Sequence, residues 1–189
     1  GHVLGDVIDE GKSPDDPSAR GYQSSAGLEM HTDGADLVGL LCLKQAPIGG
    51  ENRITSGVSV FNKLAETRPD LARQLLDTEF CIDWRNEEPP GELPYHRGHI
   101  YEQLNIGLTS FALTGYILSA QRHADVPRLS KTDTEALETF QTVANDAELV
   151  GLSFSTREHE AWYVPCSTDQ NNTKKILAHF EPLFNDKTK

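Results

Sequence analysis

The sequence is short of positive charge, of cysteine and of long apolar runs, and each shortage excludes a class of protein. Lys and Arg number 17 against 29 Asp and Glu. The resulting formal net charge of -12 repels a phosphate backbone, so we expect no nucleic-acid partner. Three cysteines without CxxC spacing predict reduced thiols in a cytoplasmic protein rather than a disulfide framework. No stretch is apolar for long enough to cross a bilayer, so we expect no membrane partner either.

The order of polar and apolar segments predicts several strands with helices inserted between them. The apolar run at residues 37–43 predicts a strand that is buried on both faces and central to the fold. Helical spacing over residues 57–77 is divided at Pro69, which favours two short helices. A capping box of Thr132 and Glu135 predicts the start of a further helix. The remaining predicted elements are a half-buried strand at 80–84, strands at 99–105, 152–154 and 162–164, and helices at 111–123, 132–145 and 176–184.

The length of 189 residues fits one domain better than two, and we interpret residues 1–189 as a single domain. Two polar segments, residues 9–26 and 86–98, are rich in Asp, Ser, Gly, Pro and Glu and predict long exposed loops. Loops of this length inside a compact domain are commonly functional. We therefore expect both of them to border any binding site.

The segment "GLEMHTDGADLVGLLCL" places a polar His-Thr-Asp-Gly group directly before the apolar run. His31 and Asp33 are two residues apart, so on an extended segment both side chains project from the same face. With a distant third ligand, an imidazole and a carboxylate would form the facial triad that leaves three positions of Fe(II) open. The pattern is short, however, and a surface histidine beside a turn or cap aspartate fits it as well.

A longer stretch, "GYQSSAGLEMHTDGADLVGLLCLKQAPIGGENRI", resembles the TauD/TfdA family of Fe(II)/2-oxoglutarate-dependent dioxygenases. The resemblance runs from about residue 1 to 149 and includes "RNEEPPGELPYHR" and "SAQRHADVPRLS". It implies a mainly β fold with inserted helices, a double-stranded β-helix or jelly roll, with the predicted helices packed outside an antiparallel core. It also implies that His31 and Asp33 ligate Fe(II). Asn52 follows "GGE", where family members often carry a Thr that binds the cosubstrate 2-oxoglutarate.

The C-terminal part departs from the family pattern. The distal histidine ligand is expected near residues 170–172, which read "QNN", and the next histidine is His179. No arginine follows Arg157 to pair with a 2-oxoglutarate carboxylate. We therefore expect a jelly roll that is incomplete at its N-terminus and altered at its C-terminus. The predicted metal ligands are His31, Asp33 and, with less support, His179, and turnover is expected to be impaired.

Beyond the metal ligands the sequence indicates no catalytic group, but Arg97 and Arg122 are candidates to bind an anionic substrate. Surface salt bridges are the simpler explanation for both arginines. The favoured function is hydroxylation or desaturation of a small organic substrate with O2. Two alternatives stay open: a non-catalytic jelly-roll relative that binds a ligand, and a metal-dependent hydrolase that uses the His-x-Asp pair. The sequence identifies neither the substrate nor the oligomeric state.

Overall fold

The computed structural model describes residues 7–13, 16, 19–34, 38–40, 44, 52–105, 107–147, 149–154, 162–165, 171, 172, 174, 175, 178 and 179. A short 3-10 helix, Gly21–Gln23, lies within the first polar segment. The helices and strands that follow are β1 (Asn52–Thr55), α1 (Gly57–Thr67), α2 (Pro69–Asp77), β2 (Phe80–Asp83), β3 (Tyr95–Gly98), β4 (Tyr101–Leu104), β5 (Gly107–Ser110), α3 (Thr114–Ala120), α4 (Lys131–Asp146), β6 (Leu149–Phe154) and β7 (Trp162–Pro165).

The first two helices follow the sequence prediction closely. Ser56 caps α1, and its side chain accepts a hydrogen bond from the Ser59 amide at 3.3 Å. Pro69 occupies the first turn of α2, where its missing N–H costs no helical hydrogen bond. The predicted division of residues 57–77 into two helices at this proline is confirmed.

The fourth helix begins differently from the prediction. Its capping box is formed by Ser130 and Asp133, whose side chains accept hydrogen bonds from each other's backbone amides at 3.1 and 2.8 Å. The predicted box of Thr132 and Glu135 is therefore wrong. Ser130 satisfies the same spacing two residues earlier, and aspartate serves at the third helical position in place of glutamate.

The strands that the structure describes form three small antiparallel sheets rather than one large one. Their orders are β1-β6-β7, β2-β3 and β4-β5. In the first, Asn52 lies opposite Ser153 and Leu152 lies opposite Val164. The strand predictions at 80–84, 99–105, 152–154 and 162–164 are confirmed, with slightly different bounds, whereas β1, β3 and β5 were not predicted. The prediction of an exposed loop over 86–98 is wrong for residues 95–98, which form β3 and pair with β2. The described strands do not by themselves form a double-stranded β-helix.

The largest hydrophobic core lies among the helices. The helices α1, α2 and α4 pack on one another, and each contributes leucine, valine or phenylalanine side chains to one cluster. Phe80 and Ile82 of β2 and Tyr101 of β4 belong to the same cluster, so the helices pack on one another and on strands. A mostly antiparallel β core with these helices outside it stays a prediction. None of the described helices has the length and apolar character that a membrane span requires. The central members of the cluster are Val60, Leu64, Leu71, Leu75, Ile100, Tyr101, Ile117, Leu137 and Phe140.

Two burial predictions need correction. All four residues of β2 are buried, although alternation had predicted a half-buried strand, because α3 packs against β2. Conversely, Val38 and Leu40 are 55% and 62% exposed, and residues 38–40 lie in no strand or helix. The prediction of a buried central strand is wrong for these residues, because no described strand pairs with them. The other residues of the 37–43 run lie outside the described residues.

The predicted closing helix is described only in part. Residues 171, 172, 174, 175, 178 and 179 have helical backbone geometry and exposed side chains. The apolar residues that suggested the helix, Ile176, Leu177, Phe180 and Phe184, lie outside the described residues. Their burial therefore stays a prediction.

Candidate metal site

The His-Thr-Asp segment lies along the turn that joins β5 to α3. Thr32 donates its amide to the Ala112 carbonyl at 3.0 Å, and the Ala112 amide donates to Thr32 Oγ1 at 2.7 Å. Ala112 is buried, so Thr32 faces the protein. The residues on either side of it, His31 and Asp33, face outward with 38% and 57% of their side chains exposed. The segment thus presents an imidazole and a carboxylate from one anchored stretch of backbone.

The two outward side chains approach each other. His31 Nε2 lies 3.8 Å from Asp33 Oδ1, while His31 Nδ1 lies 2.7 Å from the Glu29 carbonyl oxygen. A carbonyl only accepts hydrogen bonds, so Nδ1 carries the proton in the neutral ring. The lone pair is then on Nε2, the nitrogen that faces the carboxylate. This is the tautomer that a metal-binding histidine adopts when its other nitrogen is held by a backbone carbonyl.

This pair fits a divalent transition metal in donor type and in spacing. Imidazole nitrogen together with carboxylate oxygen is the donor set of non-haem Fe(II) sites. Two ligand atoms about 2.1 Å from one ion and at right angles are about 3 Å apart. The observed 3.8 Å between His31 Nε2 and Asp33 Oδ1 therefore requires only a small movement of two exposed side chains. The spacing of the two donor atoms is therefore compatible with a shared ion, and the ligand role of both residues stays a prediction.

A third protein ligand does not join the pair within the described part of the chain. There, no group of three or more His, Cys, Asp or Glu side chains is arranged to hold an ion. His179 lies exposed on the helical residues near the C-terminus. Its role as a ligand, and the identity of the third ligand, stay predictions.

The other predicted binding residues lie in varied surroundings. Asn52 is the first residue of β1 and is exposed. Arg97 is an exposed residue of β3 and donates a hydrogen bond to Glu79 Oε2 at 3.2 Å. Arg122 follows α3 and binds Asp83. Both arginines therefore have carboxylate partners, and a substrate role for either stays a prediction.

A buried charged residue, Asp83 at the end of β2, is the centre of a cluster of ion-pair and hydrogen-bond partners. Its fully buried carboxylate accepts hydrogen bonds from Arg122 Nε at 2.7 Å and Arg122 Nη2 at 3.1 Å. The Arg85 amide donates at 2.8 Å, and His123 Nε2 lies 3.3 Å away. Burial by itself raises the pKa of the Asp83 carboxyl. The hydrogen bonds, led by those from Arg122, outweigh burial and leave this pKa below its ordinary value.

The sequence analysis missed this cluster, although one signal was present. Asp83 is a charged residue within the otherwise apolar stretch "FCIDW", and a carboxylate buried in a strand requires a partner. The partners Arg122 and His123 are about 40 residues away in sequence. Their identity was therefore not available without the fold.

An open groove of about 420 Å³ lies beside the β2–β3 pair. Its aromatic side continues toward the metal-ligand segment: the rings of Trp84 and His96 are 4.5 Å apart, and those of His96 and Phe111 are 6.3 Å apart. A Cβ atom at Gly34 would lie 3.8 Å from Phe111 Cε2. Pro89, Glu92 and Leu93 of the 86–98 segment line this groove, and its place at a binding site stays a prediction. The lining residues are Trp84, Pro89, Glu92, Leu93, Tyr95, His96 and Arg97.

Comparison with known proteins identifies the class. The model of the family described as "Taurine catabolism dioxygenase TauD, TfdA family" matches residues 2–163. The match covers most of the chain, so this protein belongs to the TauD/TfdA family. The resemblance inferred from the His-Thr-Asp segment and its surroundings is confirmed.

Two relatives each match about two thirds of this chain. The chain is 36% identical over 135 residues to FR-33289 synthase of Streptomyces rubellomurinus, which covers 68% of this chain and 38% of that protein. It is 30% identical over 129 residues to the taurine hydroxylase-like protein SAT17 of Stachybotrys chartarum. That match covers 67% of this chain and 32% of SAT17. The matched region therefore spans well under half the length of these relatives.

Proposed function

We propose that this protein is an Fe(II)/2-oxoglutarate-dependent oxygenase that hydroxylates or desaturates a small organic substrate. Membership of the TauD/TfdA family supports an oxygenase of this type. The observation that carries the proposal to particular residues is the outward-facing pair His31 and Asp33, with Nε2 and Oδ1 3.8 Å apart and His31 Nδ1 2.7 Å from the Glu29 carbonyl oxygen. These two side chains would be two of the protein ligands of the iron.

The roles of the chain's own residues follow from their positions. His31 and Asp33 would hold the metal, and Asn52 is a candidate donor to 2-oxoglutarate. Bound Fe(II) and 2-oxoglutarate supply the oxidising chemistry with O2, which no amino-acid side chain provides. The groove beside Trp84 and His96 would bind the substrate, since its aromatic side continues through Phe111 to the ligand segment. The groove would also limit the access of water to the reacting position.

The two alternatives predict different ligands. A hydrolase on the same pair would bind Zn²⁺ and would not require 2-oxoglutarate. A non-catalytic relative would bind neither metal nor cosubstrate at His31 and Asp33. No observation on the described residues favours either alternative.

The test combines metal retention with cosubstrate turnover. Protein reconstituted anaerobically with Fe(II) is desalted, its iron is quantified, and succinate is measured by mass spectrometry after 2-oxoglutarate, ascorbate and O2 are added. We expect iron bound by the wild type and lost in His31→Ala, because one of the two described ligands is removed. His99→Ala, a histidine on the β3–β4 turn, is the matched control and should retain iron.

The outcomes separate the three hypotheses. Iron binding with 2-oxoglutarate-dependent succinate, even at a low rate, supports the proposal. Tight Zn²⁺ binding without any effect of 2-oxoglutarate supports the hydrolase. Iron retained equally by His31→Ala and the wild type contradicts the ligand assignment. A His179→Ala variant measured alongside decides whether that residue supplies the third ligand.

A further inference from the structure

The geometry points to Gln141 and Thr114 as positioning residues for the metal-ligand pair His31 and Asp33. This inference rests on the proposed function and deepens it. Neither Gln141 nor Thr114 is proposed to bind the metal. They act on the two residues directly before His31, because they hold the side chain of Glu29 and the backbone carbonyl of Met30. The argument begins with one glutamine side chain that connects three parts of the chain.

Gln141 lies in the middle of α4, and its amide nitrogen uses both of its hydrogens. Nε2 donates to the Met30 carbonyl at 2.8 Å and to Thr114 Oγ1 at 2.6 Å. Its Oε1 atom is buried and accepts no hydrogen bond from the described residues. Among the described residues, the Gln141 side chain therefore makes hydrogen bonds only through its Nε2 donor. That donor end joins α4 to the ligand segment across 111 positions of sequence.

Thr114 continues the connection at the start of α3. It is 2% exposed, and its hydroxyl donates to Glu29 Oε2 at 3.0 Å. The hydroxyl has one hydrogen, which is used on the carboxylate, so its oxygen is free to accept from Gln141. The direction of every hydrogen bond from Gln141 to Glu29 is therefore fixed. Such a connected set holds its members in one arrangement more firmly than isolated bonds do.

Glu29 links this set to the candidate ligand. Its side chain is held by Thr114, and its backbone carbonyl lies 2.7 Å from His31 Nδ1, the contact that leaves the lone pair on Nε2. Hydrogen bonds to Thr114, Gln141 and Ala112 thus hold Glu29, Met30 and Thr32 in turn. The side chains of His31 and Asp33 remain exposed. Partners of this kind orient a ligand's ring and commonly change metal affinity about 10–100-fold when removed.

The test compares two bridging glutamines. Gln141→Met keeps the side-chain length but removes the donors. Gln74→Met is the matched control, because Gln74 Nε2 also makes two hydrogen bonds, to Thr78 and Asp133, and neither partner belongs to the set that joins Gln141 to residues 29–33. Thr114→Val removes the hydroxyl at nearly constant volume, and Thr114→Ser restores it. Co(II) affinity is measured by absorption titration, and amide hydrogen exchange of residues 29–33 is measured in the metal-free protein.

We expect Gln141→Met and Thr114→Val to raise the Kd for Co(II) about 10–100-fold and to speed exchange at residues 29–33. Gln74→Met and Thr114→Ser should change the Kd by less than about threefold. A general loss of stability would affect both glutamine variants alike. Equal affinities for Gln141→Met and the wild type, or an equal loss in Gln74→Met, would overturn the inference.

Failure of the proposed function is recognised separately. If the wild type binds no Co(II), or binds it equally well after His31→Ala, the proposed function fails. The exchange rates then decide the positioning role alone. Faster exchange of residues 29–33 in Gln141→Met, but not in Gln74→Met, supports the anchoring. Unchanged exchange overturns it.

Discussion

The described residues include two carboxylate–imidazole pairs with opposite surroundings. In one, Asp83 Oδ1 lies 3.3 Å from His123 Nε2. The Asp83 carboxylate is fully buried and is also bound by Arg122. Asp33 and His31 are 3.8 Å apart and exposed, and in the described structure no arginine or lysine pairs with Asp33. A carboxylate whose charge is matched by arginine has little affinity left for a cation, whereas an exposed one retains it. The surroundings, more than the residue types, therefore distinguish a structural pair from a candidate metal site.

The two pairs also differ in how they are fixed. The buried pair lies at the end of β2, next to Arg85 and Asn86, two non-glycine residues with positive φ of 53° and 65°. Positive φ is unfavourable for such residues, so the turn is maintained by its contacts. Asn86 Oδ1 accepts from Arg122 Nη2 at 3.1 Å, and Arg85 donates to the Gly115 carbonyl at 3.2 Å. The exposed pair lies on a segment held by its neighbours instead: Thr32, between the two residues, bonds to Ala112, and the carbonyl of Met30, before them, accepts from Gln141.

The largest expected effect is on stability, from Asp83→Asn. The change leaves Arg122 without its buried counter-charge, so the free energy of unfolding should fall by about 3 kcal/mol. We choose the lower end of the usual range because 27% of the Arg122 side chain is exposed. Urea unfolding followed by circular dichroism measures the loss. A change below about 0.5 kcal/mol would show that the cluster is not structurally important.

The next prediction concerns acid. The pKa of Asp83 is lowered in the folded protein, so its contribution to stability is complete above about pH 4, the ordinary value for aspartate. The contribution is lost as the pH falls below that value and through the lower folded-state pKa. The wild type should therefore lose stability more steeply than Asp83→Asn between about pH 5 and 2. Parallel stability curves for the two proteins over this range would contradict the prediction.

The smallest expected effect on stability is from Asp33→Asn. Asp33 is 57% exposed, and its only ion pair among the described residues is with His31. The free energy of unfolding of the metal-free protein should change by less than about 0.5 kcal/mol. The same urea experiment measures it. A loss as large as that of Asp83→Asn would remove the distinction between the two pairs.

Several local features were predicted correctly from the sequence because their causes are local, although the capping box of α4 was placed two residues too late. Pro69 marks a helix boundary whatever surrounds it, and the spacing of Leu137 and Phe140 places both on the buried side of α4. The His-Thr-Asp segment was found in the same way, since the direction of His31 and Asp33 depends on their separation by two residues.

Features that depend on distant partners were not predictable in this way. The apolar composition of Val38 and Leu40 predicted burial, but burial also requires strands to pair with them, and the described strands pair elsewhere. Likewise, nothing near Gln141 in sequence indicates a contact with Met30, because the two meet only when α4 packs beside the ligand segment. His31 and Asp33 were accessible from the sequence as candidate ligands, whereas the contacts of the residues around them were not.

The most direct test of the account is the Co(II) affinity of the wild type, Asp33→Asn and Asp83→Asn, measured side by side at neutral pH by absorption titration. Co(II) accepts the same nitrogen and oxygen donors as Fe(II) and is suited to optical measurement. We predict that Asp33→Asn raises the Kd at least about tenfold, because it removes a charged ligand, while Asp83→Asn, where folded, keeps the wild-type Kd. Loss of affinity in Asp83→Asn with none in Asp33→Asn would contradict the account.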